Sequence, residues 1–291
     1  MAVEWKPLSY SLGVEVRGVD LSRPVTDEDF ATLRRVLIER DGLMLLRGQS
    51  GMTREQHIAF SRRFGELDTH DAVPLDRDRT HPEVLLVDNL PRPEGQSYGK
   101  MIGHEWHSDL APSLRPAGLS FLRAIRVPPV GGDTQFANMH AAFEALSPGM
   151  QALLRTLSAV FVRGRKGVTP EWEKENRRLN PPVAQPLVRV HPDTGREALY
   201  IGESARAFEG MTPSESRPLL DFLIRHATQP RFVYRHRWQS GDLLVWDNRC
   251  TIHLALGDYD PTEVRQMERT TVKGHPSGHL VSPEVAELAT S

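Results

Sequence analysis

The stretch RFVYRHRWQSGDLLVWDN, residues 231–248, limits the possible folds more than any other part of the chain. Phe232, Tyr234, His236 and Trp238 alternate with Val233, Arg235 and Arg237, the two-residue period of a strand with one face in a core. The turn QSGD then leads into a second apolar run, Leu243 to Trp246. Similar short runs recur in GLMLLRG (42–48), PEVLLVDN (82–89) and AGLSFLRAIRVP (117–128). Between them lie helix patterns with their own start signals. TDEDFATLRRVLIER opens at Thr26 with acids in its first turn, and Phe30, Leu33, Val36 and Leu37 recur at helical spacing. Thr53 with Gln56, and Thr212 with Pro213 and Glu215, are capping boxes. MHAAFEALSPGMQALLRTLSAV reads as two helices broken at Ser147-Pro148. The pattern is that of one compact α+β domain over residues 1–291, with a β core whose strand ends carry the chemistry. The polar, proline-bearing stretch 166–185 reads as a long surface loop or lid.

Bulk properties exclude several classes. The chain has 291 residues, 39% of them apolar and 25% charged, and is long enough to bury a core without disulfides. Its single cysteine, Cys250, cannot form an internal bridge and fits a reducing compartment. It shows no apolar run of about 18 residues or more and no charged-then-apolar leader, so the chain reads as cytoplasmic. A formal net charge of −2 provides no general attraction to nucleic acid or anionic membrane.

Residues 104–110, HEWHSDL, raise a sharper question. In an extended segment, positions two apart point the same way, so His107 and Asp109 can face one point. Twelve histidines make a chance His-x-Asp quite possible. A second one, His191 to Asp193, sits in the turn sequence HPDTG and reads as a connection between strands. A third ligand is available from VWDNRCTIHLA, where His253 follows a polar turn. Two imidazoles and one carboxylate suit non-haem Fe(II) with open positions, and could equally hold zinc with one water. GGDT (131–134) and RQMER (265–269) add a hydroxyl and two guanidiniums. Arg265 and Arg269 share a face if QMERTTVKG is a strand, and guanidinium is suited to carboxylate capture.

The ordered set WHSD, GGDT, WDNRCTIH and RQMER, with FSRRFGEL and PLVRVHPDTGREALYIG, resembles the Fe(II)- and 2-oxoglutarate-dependent taurine/2,4-dichlorophenoxyacetate dioxygenases (TauD/TfdA type) from about Leu12 to Thr271. The resemblance implies a double-stranded β-helix, or jelly roll, decorated with helices. It also implies that the enzyme uses O2 and converts 2-oxoglutarate to succinate and carbon dioxide while hydroxylating a substrate. His107, Asp109 and His253 match that family's iron ligands. Thr134 and Arg265 match the pair holding the distal carboxylate of 2-oxoglutarate. Arg269 matches a residue serving the inner carboxylate or the substrate's anionic group, and His70 matches a histidine that meets the substrate in the taurine enzyme. Asn248 is read as fixing the turn that aims His253. Trp106 and Trp246 read as core or wall, Cys250 as a buried strand residue and His104 as a loop residue away from the metal.

Two departures bear on the substrate. Val73 stands where the taurine pattern has an aromatic, and Gly103 where it has a side-chain amide. These exchanges point to a bulkier substrate than taurine. The expected substrate is a small organic anion, first an aryloxyalkanoate or related carboxylate cleaved through a hemiacetal-like product, with alkyl sulfates or sulfonates second. A zinc hydrolase and a non-catalytic jelly-roll binding protein are the readings from other classes. A homo-oligomer, dimer or tetramer, is expected by analogy.

Overall fold

The computed structural model describes residues 3–71, 77–91, 103–164 and 170–290. The chain begins with β1 (Glu4–Pro7), β2 (Val14–Arg17), α1 (Asp27–Glu39), β3 (Leu43–Leu46) and α2 (Arg54–Arg62). Next come β4 (Leu85–Asp88), β5 (Ala117–Arg126), β6 (Thr134–Asn138), α3 (Met139–Glu144), α4 (Pro148–Leu154) and β7 (Ser158–Phe161). The chain continues through α5 (Pro170–Leu179), β8 (Val183–Pro186), β9 (Val188–Val190), β10 (Glu197–Leu199), β11 (Ala205–Phe208) and α6 (Pro213–Ala227). It ends with β12 (Val233–His236), β13 (Leu243–Asp247), β14 (Thr251–Ala255), β15 (Gln266–Lys273), β16 (His279–Leu280) and α7 (Pro283–Thr290).

The main sheet runs β1-β2-β3-β13-β5-β15-β4 and is antiparallel except where β2 meets β3. A second, antiparallel sheet, β12-β6-β14, lies against it. The two meet where Phe136 of β6 packs with Leu122 of β5, Leu244 and Trp246 of β13 and Met267 of β15. This is the jelly-roll core of an α+β protein.

The unbroken apolar runs follow from this layering. In β13, Leu244 and Trp246 face the second sheet, while Leu243 and Val245 face α1 and α2. In β3, Leu43 and Leu45 face inward, and Met44 and Leu46 face the helices. A strand covered on both faces needs apolar residues at every position, and each such side chain contributes roughly 1.5–3 kcal/mol on burial. The helices start where their caps dictate. Thr53 and Thr212 both form complete capping boxes, and Ser147 caps α4 with Pro148 in its first turn. Outside the sandwich, β11-β7-β8-β16 form a four-stranded sheet, with α3 and α6 burying Phe143, Leu220 and Leu223 against Phe161 and Phe208.

The stretch 166–185 differs from the loop expected of it. Residues 170–179 form α5 and residues 183–186 form β8, while 166–169 lie outside the described residues. The glutamates, lysine and arginines of EWEKENRRL are good helix formers once Pro170 has opened the first turn. Their polarity therefore marks a helix and not an absence of structure. Among the described residues, no helix is long and apolar enough to cross a membrane.

Helix α2 lies on β15 through a buried polar contact, His57 Nε2 to Thr270 Oγ1 at 3.3 Å, with Ser61 Oγ 2.6 Å from the same hydroxyl. Burial, and then the charge of Arg123, pushes the His57 imidazole down to about 3. The unfolded chain takes that proton near pH 6.5, so between the two values the unfolded state binds more protons and stability falls as pH falls. One such proton is worth up to about 1.4 kcal/mol per pH unit. Urea denaturation from pH 7 to 4 should therefore show a falling unfolding free energy that is visibly flatter in His57→Gln; equal slopes would contradict the assignment.

Candidate active site

The loop before β5 is held against β14 by backbone hydrogen bonds. His107 N donates to His253 O at 3.0 Å and His253 N donates to His107 O at 2.8 Å, an isolated antiparallel pair. Ala255 N donates to Gly103 O at 2.7 Å and continues the contact. The two imidazoles lie side by side, their ring centroids 4.1 Å apart. Asp109, two residues on, faces the same point: its carboxylate oxygens lie 3.9 Å from Nε2 of His107 and 3.9 Å from Nε2 of His253. The ligand atoms of the three all fall within 4.8 Å of one another.

Each side chain has the form a divalent metal needs. His107 Nδ1 donates to the Glu105 carbonyl at 2.7 Å, which leaves Nε2 with its lone pair. His253 is buried, and burial together with neighbouring His107 holds its imidazole well below the ordinary range, hence neutral. Among the described residues, its Nδ1 is buried without a hydrogen-bond partner. Burial alone would raise the Asp109 carboxyl, but the Arg269 guanidinium, then His253 and His107, hold it well below the usual carboxylate range. A second grouping, His191, Asp247 and Cys250, also lies close together. There His191 Nε2 meets Asp247 Oδ2 at 3.0 Å, Arg249 binds the same carboxylate, and burial pushes the Cys250 thiol up. Those donors are already committed within the protein, so the first grouping is the one that fits a metal.

Asp109 is held from several sides. Ser120 Oγ donates to its Oδ2 at 2.6 Å and Arg269 Nη1 to its Oδ1 at 2.5 Å. Asn248 Oδ1 accepts from Asp109 N and from Trp246 Nε1, while its Nδ2 donates to Ser120 Oγ at 2.9 Å. Beyond the turn it was expected to fix, the Asn248 amide reaches Asp109 and Ser120, and His253 is held by its own backbone pairing. Ser120 was missed in the sequence because a serine inside the apolar run GLSFL has no local signal. Trp246 is core, 4.7 Å from the His253 ring, and Trp106 packs at a core edge. Cys250 is buried and His104 exposed.

The GGDT segment and Arg265 meet beside this centre. Gly131 and Gly132 have φ of +78° and +69°, and a Cβ on Gly131 would lie 2.1 Å from Asp258 O. Only glycine passes there without strain. Arg265 Nε donates to the Gly132 carbonyl at 3.1 Å, and Thr134 Oγ1 accepts from Trp238 Nε1 at 2.9 Å. Arg265 is 7% exposed and, among the described residues, has no carboxylate within ion-pair distance. Burial pulls its guanidinium below the ordinary value. A small cleft bounded by Arg265, His104, Ala255 and Tyr259 opens on it. His70 is buried at φ +53°, and its Nε2 donates to Glu83 O at 3.2 Å. Burial, then the charge of Arg269, pushes it down to about 4, so its ring is neutral at pH 7. Gly103, φ +81°, lies against the His107 ring, where a Cβ would sit 3.4 Å from Cε1. Val73 lies outside the described residues.

Residues 4–271 match the family described as taurine catabolism dioxygenase TauD, TfdA family. The chain is 35% identical over 284 residues to the alpha-ketoglutarate-dependent 2,4-dichlorophenoxyacetate dioxygenase of Cupriavidus pinatubonensis, covering 93% of this chain and 98% of that protein. It is 30% identical to the alpha-ketoglutarate-dependent sulfate ester dioxygenase of Pseudomonas putida, covering 92% and 88%. Among solved structures, AAD-2 in complex with Mn(II) and N-oxalylglycine matches with a TM-score of 0.79 and 32% identity, covering 95% of this chain and 99% of that one. The chain belongs to the TauD/TfdA family. It is a non-haem dioxygenase that uses Fe(II), 2-oxoglutarate (alpha-ketoglutarate) and O2, and the zinc-hydrolase and non-catalytic readings fall away.

Partners that orient a metal ligand typically matter about 10–100-fold in metal affinity. Asn248→Ala should weaken Mn(II) binding by that order in calorimetric titration while the far-UV circular dichroism stays native. Unchanged affinity would show that Asp109 does not depend on this amide.

Proposed function

We propose that His107, Asp109 and His253 hold the iron and that Arg265 with Thr134 receives the distal carboxylate of 2-oxoglutarate. The observation carrying this reading is the buried Arg265 guanidinium, which among the described residues has no carboxylate within ion-pair distance. A buried cation without a counter-charge is costly, and a dicarboxylate co-substrate would supply one. Bound Fe(II) supplies the oxygen chemistry that couples conversion of 2-oxoglutarate to succinate with hydroxylation of the substrate.

The chain's own contribution is geometry. Arg265, tied to Gly132 O, fixes the direction from which the keto acid reaches the metal. Arg269 pairs with Asp109 and is the guanidinium available to a second anion there, the inner carboxylate of the keto acid or the acid group of the substrate. Neutral His70, with Nε2 engaged by the Glu83 carbonyl and Nδ1 3.6 Å from Asp68 Oδ1, adds no charge to that anion site. Gly103 leaves the His107 ring uncovered by a side chain.

The substrate proposed is an aryloxyalkanoate or related small carboxylate. Its support is the likeness to the 2,4-dichlorophenoxyacetate enzyme together with the lack of bulk at Gly103. An alkyl sulfate or sulfonate is the second reading, supported by the sulfate ester relative. The chain is proposed to work as one cytoplasmic domain and as a homo-oligomer.

Succinate release, measured with aryloxyalkanoates, alkyl sulfates and taurine in parallel, decides between these. The expected order is aryloxyalkanoate first and taurine poor; robust taurine turnover, or no coupling to any organic anion, would overturn it. Anaerobic Fe(II) with 2-oxoglutarate should produce a weak visible charge-transfer band that His107→Ala abolishes together with turnover, the fold being retained.

A further inference from the structure

A cavity of about 240 Å³ lies apart from the dioxygenase centre, bounded by Pro116, Arg189, Pro192, Arg249, His275 and Ser277 among others. It shares no lining residue with the proposed iron ligands or with Thr134, Arg265 and Arg269, and no carboxylate lines it. That is room for a molecule several times the size of water, whose share of liquid volume is about 30 Å³.

Its two arginines are in different states. Arg249 is neutralised: Nε lies 2.8 Å from Asp247 Oδ1 and Nη2 lies 3.1 Å from Asp193 Oδ2. Arg189 is not. Among the described residues it has no carboxylate within ion-pair distance, and its Nη1 is buried without a hydrogen-bond partner. Its guanidinium carbon instead lies 4.3 Å from the centroid of the Tyr200 ring, which fixes the plane of the fork. A stem held by β9 and a head stacked on the Tyr200 ring hold the guanidinium in one orientation at the cavity wall, a preorganised half of an oxyanion contact. His275, exposed at the rim, adds a further donor.

We propose that this cavity is a binding site for a small oxyanion, inorganic phosphate or a short carboxylate, gripped by Arg189 with Arg249 and His275 in its walls. The site abuts the segment carrying Asp109. The cavity residue Ala117 donates its N–H to Asp109 O at 3.2 Å, and Arg249 directly follows Asn248 in the chain.

Calorimetric titration of the intact protein with inorganic phosphate and, separately, with succinate tests this, ionic strength being held constant with chloride. Because the co-substrate site also takes carboxylates, wild type is compared with Arg189→Gln and with Arg265→Gln. Saturable one-site binding of phosphate or succinate that survives in Arg265→Gln and weakens about tenfold or more in Arg189→Gln supports the proposal, as does unaltered turnover of Arg189→Gln without added phosphate. The order is that of one lost charge-assisted hydrogen bond. Absence of saturable binding over chloride, an unchanged Kd in Arg189→Gln, or loss of binding in Arg265→Gln instead would overturn it. Should Arg189→Gln fail to fold, Arg189→Lys, a point charge in place of the fork, must still weaken binding several-fold; an unchanged Kd there overturns the proposal equally.

Discussion

Two backbone hydrogen bonds, exchanged between His107 and His253, are the constraint on which the candidate centre depends. They make residues 146 positions apart into direct cross-strand neighbours, so both imidazoles project from one short ladder at a fixed spacing. Main-chain bonds of this kind do not depend on the side chains they carry. Packing then fixes the rotamers: Phe136 lies stacked 5.9 Å from the His253 ring and Trp246 tilts against it. Asp109 enters because it follows His107 by one extended step, and the Ser120–Asn248 pair closes around it from the main sheet.

The charges are arranged with equal economy. Arg269 lies on Asp109, so one buried cation and one buried anion offset each other. Among the described residues Arg265 has no carboxylate within ion-pair distance, and its guanidinium meets the Gly132 carbonyl. The difference separates two arginines that look alike in RQMER: Arg269 is paired with Asp109, whereas Arg265 is the one proposed to take the co-substrate carboxylate. Burial of His253, His70 and His57 keeps imidazoles neutral in a protein whose interior also holds several carboxylates.

Much of this was legible in the sequence, because the relevant signals are local. Alternation in RFVYRHRW, capping boxes at Thr53 and Thr212, and the Ser147-Pro148 break each report a few neighbouring residues, and the structure has the corresponding strand and helix ends. The His-x-Asp pair and Gly131-Gly132 were readable for the same reason. What escaped was either non-local or polar in disguise. Helix α5 hid in a charged, proline-bearing segment that looked like a loop. Ser120 gains meaning only through contacts with Asp109 and with Asn248, 11 and 128 positions away. That the Asn248 amide also reaches Asp109 and Ser120 escapes the sequence, because the sheet register that brings them together is encoded in no local pattern. Arg189 was likewise invisible, since nothing in VRVHP tells a stacked, unpaired guanidinium from a solvated one.

The most direct test is an anomalous difference map from crystals loaded anaerobically with Fe(II). The geometry predicts a single strong peak between His107 Nε2, His253 and the Asp109 carboxylate. A peak at His191, Asp247 and Cys250, or a map empty at both places despite iron bound in solution, would contradict it.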